Sequence, residues 1–221
     1  MGEITSTHFT RIQTKALTFL AADPYITSSF YLTGGTALAA CYLNHRESED
    51  IDLFSLHKVD ETIAFPLLQR LAHVSKATLQ YAKVSECHRF DLVLPKNIKL
   101  KIDLNYYPYP HIEPTMSWHG LFVDSIADIA VNKVLTITQR TTSKDYVDLY
   151  FLLKNYTFWD LMPAVKHKFG MEIDPFYLTS VLAQVETLDT LPIMKKKLTL
   201  ETLKKFFLTE AKKLAMTMVR P

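Results

Sequence analysis

The feature that most constrains this chain is a pair of glycines closing a short apolar run, followed after one helix-like stretch by two aspartates that alternate with apolar residues. Ser29-Phe30-Tyr31-Leu32-Thr33 is β-branched and aromatic and runs straight into Gly34-Gly35, which predicts a buried strand ending in a tight turn. Thr36 to Leu43 is rich in alanine and leucine and predicts a helix. Backbone N–H groups at such a turn point outward with the helix dipole behind them, so an anion such as a phosphate can sit there. The same glycine pair also serves any turn that merely needs positive φ.

In Asp50-Ile51-Asp52-Leu53-Phe54 the alternation puts both carboxylates on one face of a strand and Ile51 and Leu53 in the core. Two adjacent carboxylates repel unless a cation lies between them, and hard oxygen ligands suit Mg²⁺ or Mn²⁺, whose coordination shell a nucleotide's phosphates can complete. The competing reading is a solvent-facing pair that blunts an edge strand. A glycine turn, a helix and an Asp-x-Asp strand together make the layout that holds a triphosphate on backbone amides while carboxylates bridge it through a metal.

A third carboxylate would deprotonate the attacking hydroxyl or hold a second metal. In Lys101-Ile102-Asp103-Leu104-Asn105 the polar residues share one strand face, which makes Asp103 the best-placed candidate, with Asp91 in Arg89-Phe90-Asp91-Leu92 its competitor. Farther on, Ser125-Ile126-Ala127-Asp128 starts a helix through Thr138, and Lys144 to Leu153 forms another with Asp145 and Asp148 three apart on one side. Taken as residues, that pair fits helix-start electrostatics on a surface.

Gly34-Gly35-Thr36-Ala37-Leu38-Ala39, then His45-Arg46-x-Ser48-x-Asp50-Ile51-Asp52-Leu53-Phe54, resembles the signature of the nucleotidyltransferase superfamily, in particular its AbiEii/AbiGii toxin family. Lys133, Arg140 and Lys144-Asp145-Tyr146-x-Asp148-Leu149-Tyr150 resemble the family's downstream block, and the likeness covers about residues 28 to 153. The resemblance implies an α+β fold, a mixed sheet flanked by helices and followed by a C-terminal helical bundle. It implies Asp50, Asp52 and Asp103 as metal ligands and catalytic groups. Gly34, Gly35, Thr36, Arg46, Ser48, Arg140, Lys144 and Asp145 would line the nucleotide site. Lys133 would neutralise triphosphate charge, and Asp148 would orient it or a catalytic group. The implied activity is transfer of a nucleoside monophosphate from an NTP to an acceptor hydroxyl, with tRNA the expected acceptor, in a toxin–antitoxin or abortive-infection setting with a cognate antitoxin. A protein-modifying relative, or a nucleotide- or RNA-binding regulator that has lost activity, are the alternatives.

Length and composition set the outer bounds. The 221 residues suffice for a domain plus a helical annex, with a boundary expected near Gly120: residues 1–120 as the α/β domain and 121–221 as a helical domain completing the cleft. At 48% hydrophobic and 22% charged residues the chain is an ordinary globular one, which excludes general disorder. A net charge of +2 points to no partner, although Lys195, Lys196, Lys197, Lys204, Lys205, Lys212 and Lys213 make the C-terminal end basic. Cys41 and Cys87 lack short-spaced partners and read as reduced thiols of a cytoplasmic protein, and no run has the length of a membrane span. The last helix is expected to place Leu200, Leu203, Phe207, Leu214 and Met218 on one stripe.

Overall fold

The computed structural model describes residues 2–219, and its chain divides into two compact units. One takes the residues up to Tyr42 together with Ser48–Ser125; the other takes Leu43–Glu47 and everything from Ile126. The main division falls after Ser125, five residues beyond the boundary expected near Gly120, and His45, Arg46 and Glu47 of the first motif go with the second unit.

The first unit is a seven-stranded mixed sheet with helices. In chain order it has α1 (Arg11–Ala21), α2 (Pro24–Ser29), β1 (Tyr31–Thr33), α3 (Gly34–Ala37), β2 (Ile51–Ser55), α4 (Glu61–Val74), β3 (Thr78–Val84), β4 (Cys87–Leu94), β5 (Ile98–Tyr106), β6 (Met116–Trp118) and β7 (Leu121–Val123). The strand order is β3-β4-β5-β2-β1-β7-β6. The pairs β2/β5 and β1/β7 are parallel and the rest antiparallel.

Local chemistry explains most of these limits. Thr10 and Gln13 form a reciprocal capping box that starts α1, and the Asp60 side chain caps α4. Asp23-Pro24 begins α2, because the Asp23 carboxylate caps Tyr25 and proline is tolerated in a first turn. The strand consequently starts at Tyr31 rather than Ser29. Residues 106–120 contain β6 and lead into β7; three-residue strands are too short to show a period-two pattern in the sequence. Pro66 lies inside α4 without breaking it.

Ile51 and Leu53 on β2, with Ile102 and Leu104 on β5, are wholly buried. Each such side chain stabilises the fold by roughly 1.5–3 kcal/mol. A one-residue slip of either strand would exchange these residues for Asp52 and Asp103, so the core fixes the register of the carboxylates.

The second unit is helical: α5 (Ile126–Gln139), α6 (Ser143–Leu152), α7 (Phe158–Phe169), α8 (Pro175–Ala183) and α9 (Leu200–Val219). Thr142, Thr157 and Asp174 cap α6, α7 and α8, and Gly170 ends α7 at φ 66°. Its core joins Tyr146, edge-on to Phe207 at 5.0 Å, with Leu203 and Leu214 of the expected stripe. The side chain of Met218 lies outside the described residues. Leu43–Glu47 is held to this unit by main-chain bonds from Glu47 N–H to the Ile193 carbonyl (2.8 Å) and from Lys195 N–H to the His45 carbonyl (2.9 Å). Among the described residues no helix is long and apolar enough to cross a membrane.

Candidate functional site

In the sheet unit, the diglycine turn and the Asp-x-Asp strand meet. Gly34 opens α3 at φ +71°, a left-handed conformation, while the chain continues from Ala37 into a π-helical turn over Leu38–Leu43 instead of the regular helix expected. A Cβ on Gly34 would stand 2.6 Å from Asp52 Oδ2, so the missing side chain is what lets that carboxylate lie against the turn. Gly34→Ala should therefore lose about 1–2 kcal/mol from the left-handed backbone and also push Asp52 away. A thermal melt reads the first effect and divalent-metal titration the second; an unchanged metal affinity would separate Gly34 from the carboxylates.

The Thr36 hydroxyl donates to the Asp50 carbonyl oxygen and lies 2.9 Å from the Ser48 hydroxyl. Gln13 of α1 donates to the Ser48 carbonyl at 2.7 Å. Turn and strand entry are therefore one hydrogen-bonded piece. On the sheet, Thr33, Asp52 and Asp103 are successive register partners across β1, β2 and β5, with Asp50 two residues before Asp52. Asp91 lies one strand farther out, opposite Lys101, so Asp103 is the carboxylate aligned with Asp52.

Cations already stand among these groups. Lys101 Nζ is 2.8 Å from Asp50 Oδ2 and 3.7 Å from Asp103 Oδ2, and Arg89 Nε is 3.2 Å from Asp103 Oδ1. Burial pulls the Lys101 pKa down, but its hydrogen bond to Asp50 and the charges of Asp50, Asp103 and Asp52 outweigh that and leave it raised. The donor set of hard oxygens drawing in a positive group fits a divalent ion. Sequence reasoning placed Lys101 on this face without assigning it a part. Lys101→Met should tighten divalent-metal binding about three- to fivefold, the scale of a partly exposed ion pair, as read by Mn²⁺ titration. Weaker binding would mean that Lys101 supports the ligands instead of competing for them.

The remaining sequence-derived residues gather in the helical unit. Asp148 is fully buried and receives Arg46 Nε at 2.6 Å, Arg46 Nη2 at 2.8 Å, Lys133 Nζ at 2.7 Å and His45 Nε2 at 2.8 Å. Asp145, equally buried, receives Lys133 Nζ at 2.7 Å and Arg140 Nε at 2.8 Å. The two aspartates are thus the centre of a charge network and not a surface pair. Burial would raise both carboxyls, but the Lys133 ammonium leads a set of partners that hold them below the usual carboxylate range. Burial also lowers the Lys133 pKa, and the two carboxylates more than reverse it. Lys144 is exposed, one residue outside this network. A second buried pair, Lys168 Nζ to Asp128 Oδ1 at 2.6 Å, gave no signal in the sequence.

Both cysteines are free thiols, and burial pushes Cys41 up to about 12, far from a reactive thiolate.

A sequence model of one family, described as "Nucleotidyl transferase AbiEii toxin, Type IV TA system", matches residues 18–216. An uncharacterized protein of Aquifex aeolicus is 31% identical over 143 residues, covering 64% of this chain. The match spans 65% of that curated relative's length. Among solved structures, JHP933 from Helicobacter pylori superposes with a TM-score of 0.57 at 21% identity, over 94% of this chain and 90% of its own. MenT4, a nucleotidyltransferase toxin from Mycobacterium tuberculosis, gives 0.55 at 11% identity, over 92% and 82%. At these identities the two structures show the same fold.

Proposed function

The chain belongs to the family of nucleotidyl transferase AbiEii toxins of type IV toxin–antitoxin systems, and from that premise we propose that it moves a nucleoside monophosphate from an NTP to the 3′ end of tRNA in a Mg²⁺-dependent reaction. The observation that carries the reading is the alignment of Asp52 with Asp103 beside a glycine turn that a side chain would close. In the reaction an acceptor hydroxyl attacks the α-phosphorus, its bond to the β-phosphate bridge breaks, and pyrophosphate leaves. A bound divalent ion supplies charge neutralisation for the phosphates.

The chain's own groups do the rest. Asp50 and Asp52 would hold the ion, and Asp103 would share it or take the proton of the attacking hydroxyl. The Gly34-Gly35-Thr36 turn offers backbone N–H groups to phosphate oxygens, and Ser48 braces Thr36. Within the helical unit, Asp145 and Asp148 hold Arg46, Lys133 and Arg140 in fixed directions; Arg140, with its side chain 62% exposed, is the member best able to meet phosphate. The cytoplasm, where NTPs, tRNA and a cognate antitoxin reside, is the setting this reading requires.

Incubation with each labelled NTP, Mg²⁺ and bulk tRNA tests it. Label should reach RNA with the intact chain, and should not when EDTA is added. Transfer to protein alone would replace the acceptor; transfer to nothing would end the proposal.

A further inference from the structure

We propose that a pocket on the carboxylate-bearing face of the sheet is a seat for an unpaired nucleobase. The inference rests on the transferase reading and adds a substrate subsite to it. Phe54 on β2 and Phe122 on β7 are the register partners of Tyr31 on β1, on either side of it. This aromatic row lies two residues along the strands from the row of Asp103, Asp52 and Thr33, about 6.6 Å away and on the same face. Phe54 in turn packs on Tyr107 at 4.7 Å.

At this row a pocket of roughly 450 Å³ opens, with Tyr31, Phe122, Leu56, His57, Ser28 and His111 in its walls. It opens to solvent at its rim, where Leu56 is 42% exposed and His57 is exposed, while the buried Tyr31 forms part of its floor. The walls are built rather than incidental. Asp124, fully buried, accepts a hydrogen bond from the Thr33 hydroxyl at 2.7 Å and lies 3.1 Å from His111 Nδ1. That contact sets the His111 ring edge-on to Tyr31, with centroids 4.5 Å apart. One buried carboxylate therefore ties the pocket wall to the residue that leads into the Gly34 turn.

The lining chemistry selects the ligand. Among the described residues no lysine or arginine lines the pocket, and Glu113 does, so a phosphate is disfavoured. Aromatic and aliphatic surfaces suit the face of a base, and Ser28 and His57 offer polar atoms to its edge. The base can belong to the NTP or to the last nucleotide of a single-stranded acceptor, because both must place a reacting atom at the carboxylates.

The test is binding by the full chain and by Phe122→Ala, Phe122→Trp and His57→Ala. Probes are each of the four NTPs with Mg²⁺, by calorimetry, and a fluorescein-labelled single-stranded RNA hexamer, by anisotropy. Removing the Phe122 ring should weaken one probe on the order of tenfold, the scale of a base–aromatic stack, and Phe122→Trp should restore it. Loss confined to NTP assigns the pocket to the donor's base, and loss confined to RNA assigns it to the acceptor's. Unchanged binding of both probes by Phe122→Ala and His57→Ala, in folded protein, overturns the pocket. A wild-type chain that binds a probe and never transfers would sink the transferase reading and leave the pocket standing. A transferring enzyme with indifferent variants would do the reverse.

Discussion

Asp52→Ala should lower nucleotidyl transfer on the order of a thousandfold while leaving the protein folded. The first half of that expectation comes from charge. A metal-bridged triphosphate gains several kcal/mol of transition-state stabilisation, and each 1.36 kcal/mol is a factor of ten in rate. The second half comes from position. Asp52 is half-buried on the face opposite Ile51 and Leu53, so its removal takes nothing from the core, and it leaves one fewer carboxylate beside Asp50 and Asp103. Asp52→Asn keeps the shape and loses the charge, and should be as inactive as the alanine variant. Labelled-NTP transfer to RNA and a thermal melt, run side by side, check both halves. An alanine variant that transfers at a tenth of the normal rate or better would remove the metal-bridge account, and one that unfolds would make the assay uninformative for Asp52 but not for Asp52→Asn.

Those carboxylates were legible in the sequence because the strand period is short and strict. Asp50 through Phe54 and Lys101 through Asn105 each alternate, and an alternating pattern fixes which side chains share a face before any partner is known. The pairing of the two strands was not legible, because β2 and β5 are parallel neighbours separated by a helix and a hairpin. Alternation alone therefore favoured Asp103 over Asp91 without excluding Asp91, and it is the register that sets Asp103 beside Asp52. The fate of Arg46 was equally hidden. It sits two residues from Ser48 in one continuous motif, yet Ser48 braces the Thr36 turn while Arg46 belongs to the helical unit and grips Asp148, 102 positions away. Nothing in a periodic reading marks such a long-range charge pair. The burial of Asp145 and Asp148 was likewise out of reach, since a helix with polar residues three apart usually turns them to solvent. The Leu188–Thr199 segment carries no period, and its main-chain bonds to His45 and Glu47 are visible only in the fold.

Asp148→Ala should destabilise the helical unit by about 3–5 kcal/mol, the scale of breaking a buried ion pair by removing one partner. The carboxylate satisfies Arg46 twice, Lys133 once and His45 once, with Arg46 and Lys133 almost fully buried. Without it Lys133 keeps Asp145 and Arg46 keeps its bond to the Glu47 carbonyl, but both lose the carboxylate they share. At roughly 4–8 °C per kcal/mol for a domain of this size, the melting temperature of the unit should fall by about 12–40 °C. The pH dependence gives an independent reading. The Asp148 and Asp145 carboxyls titrate lower in the folded protein than in the unfolded chain, so their contribution is complete above about pH 4 and is lost as pH falls through the folded values. His45 is also shifted down, because burial and the nearby Arg46 and Lys133 charges outweigh the pull of Asp148. Its Nδ1 is buried without a hydrogen-bond partner, an arrangement that suits a neutral ring donating from Nε2. Since the unfolded chain binds that proton more readily, stability begins to fall below about pH 6.5, before the carboxylates contribute. Calorimetry of the wild type from pH 8 to pH 3 should show both descents, and in Asp148→Ala the acidic one should shrink. A variant that melts within about 2 °C of the wild type, with the acidic descent intact, would mean that Asp148 is not what holds Arg46 and Lys133 in place.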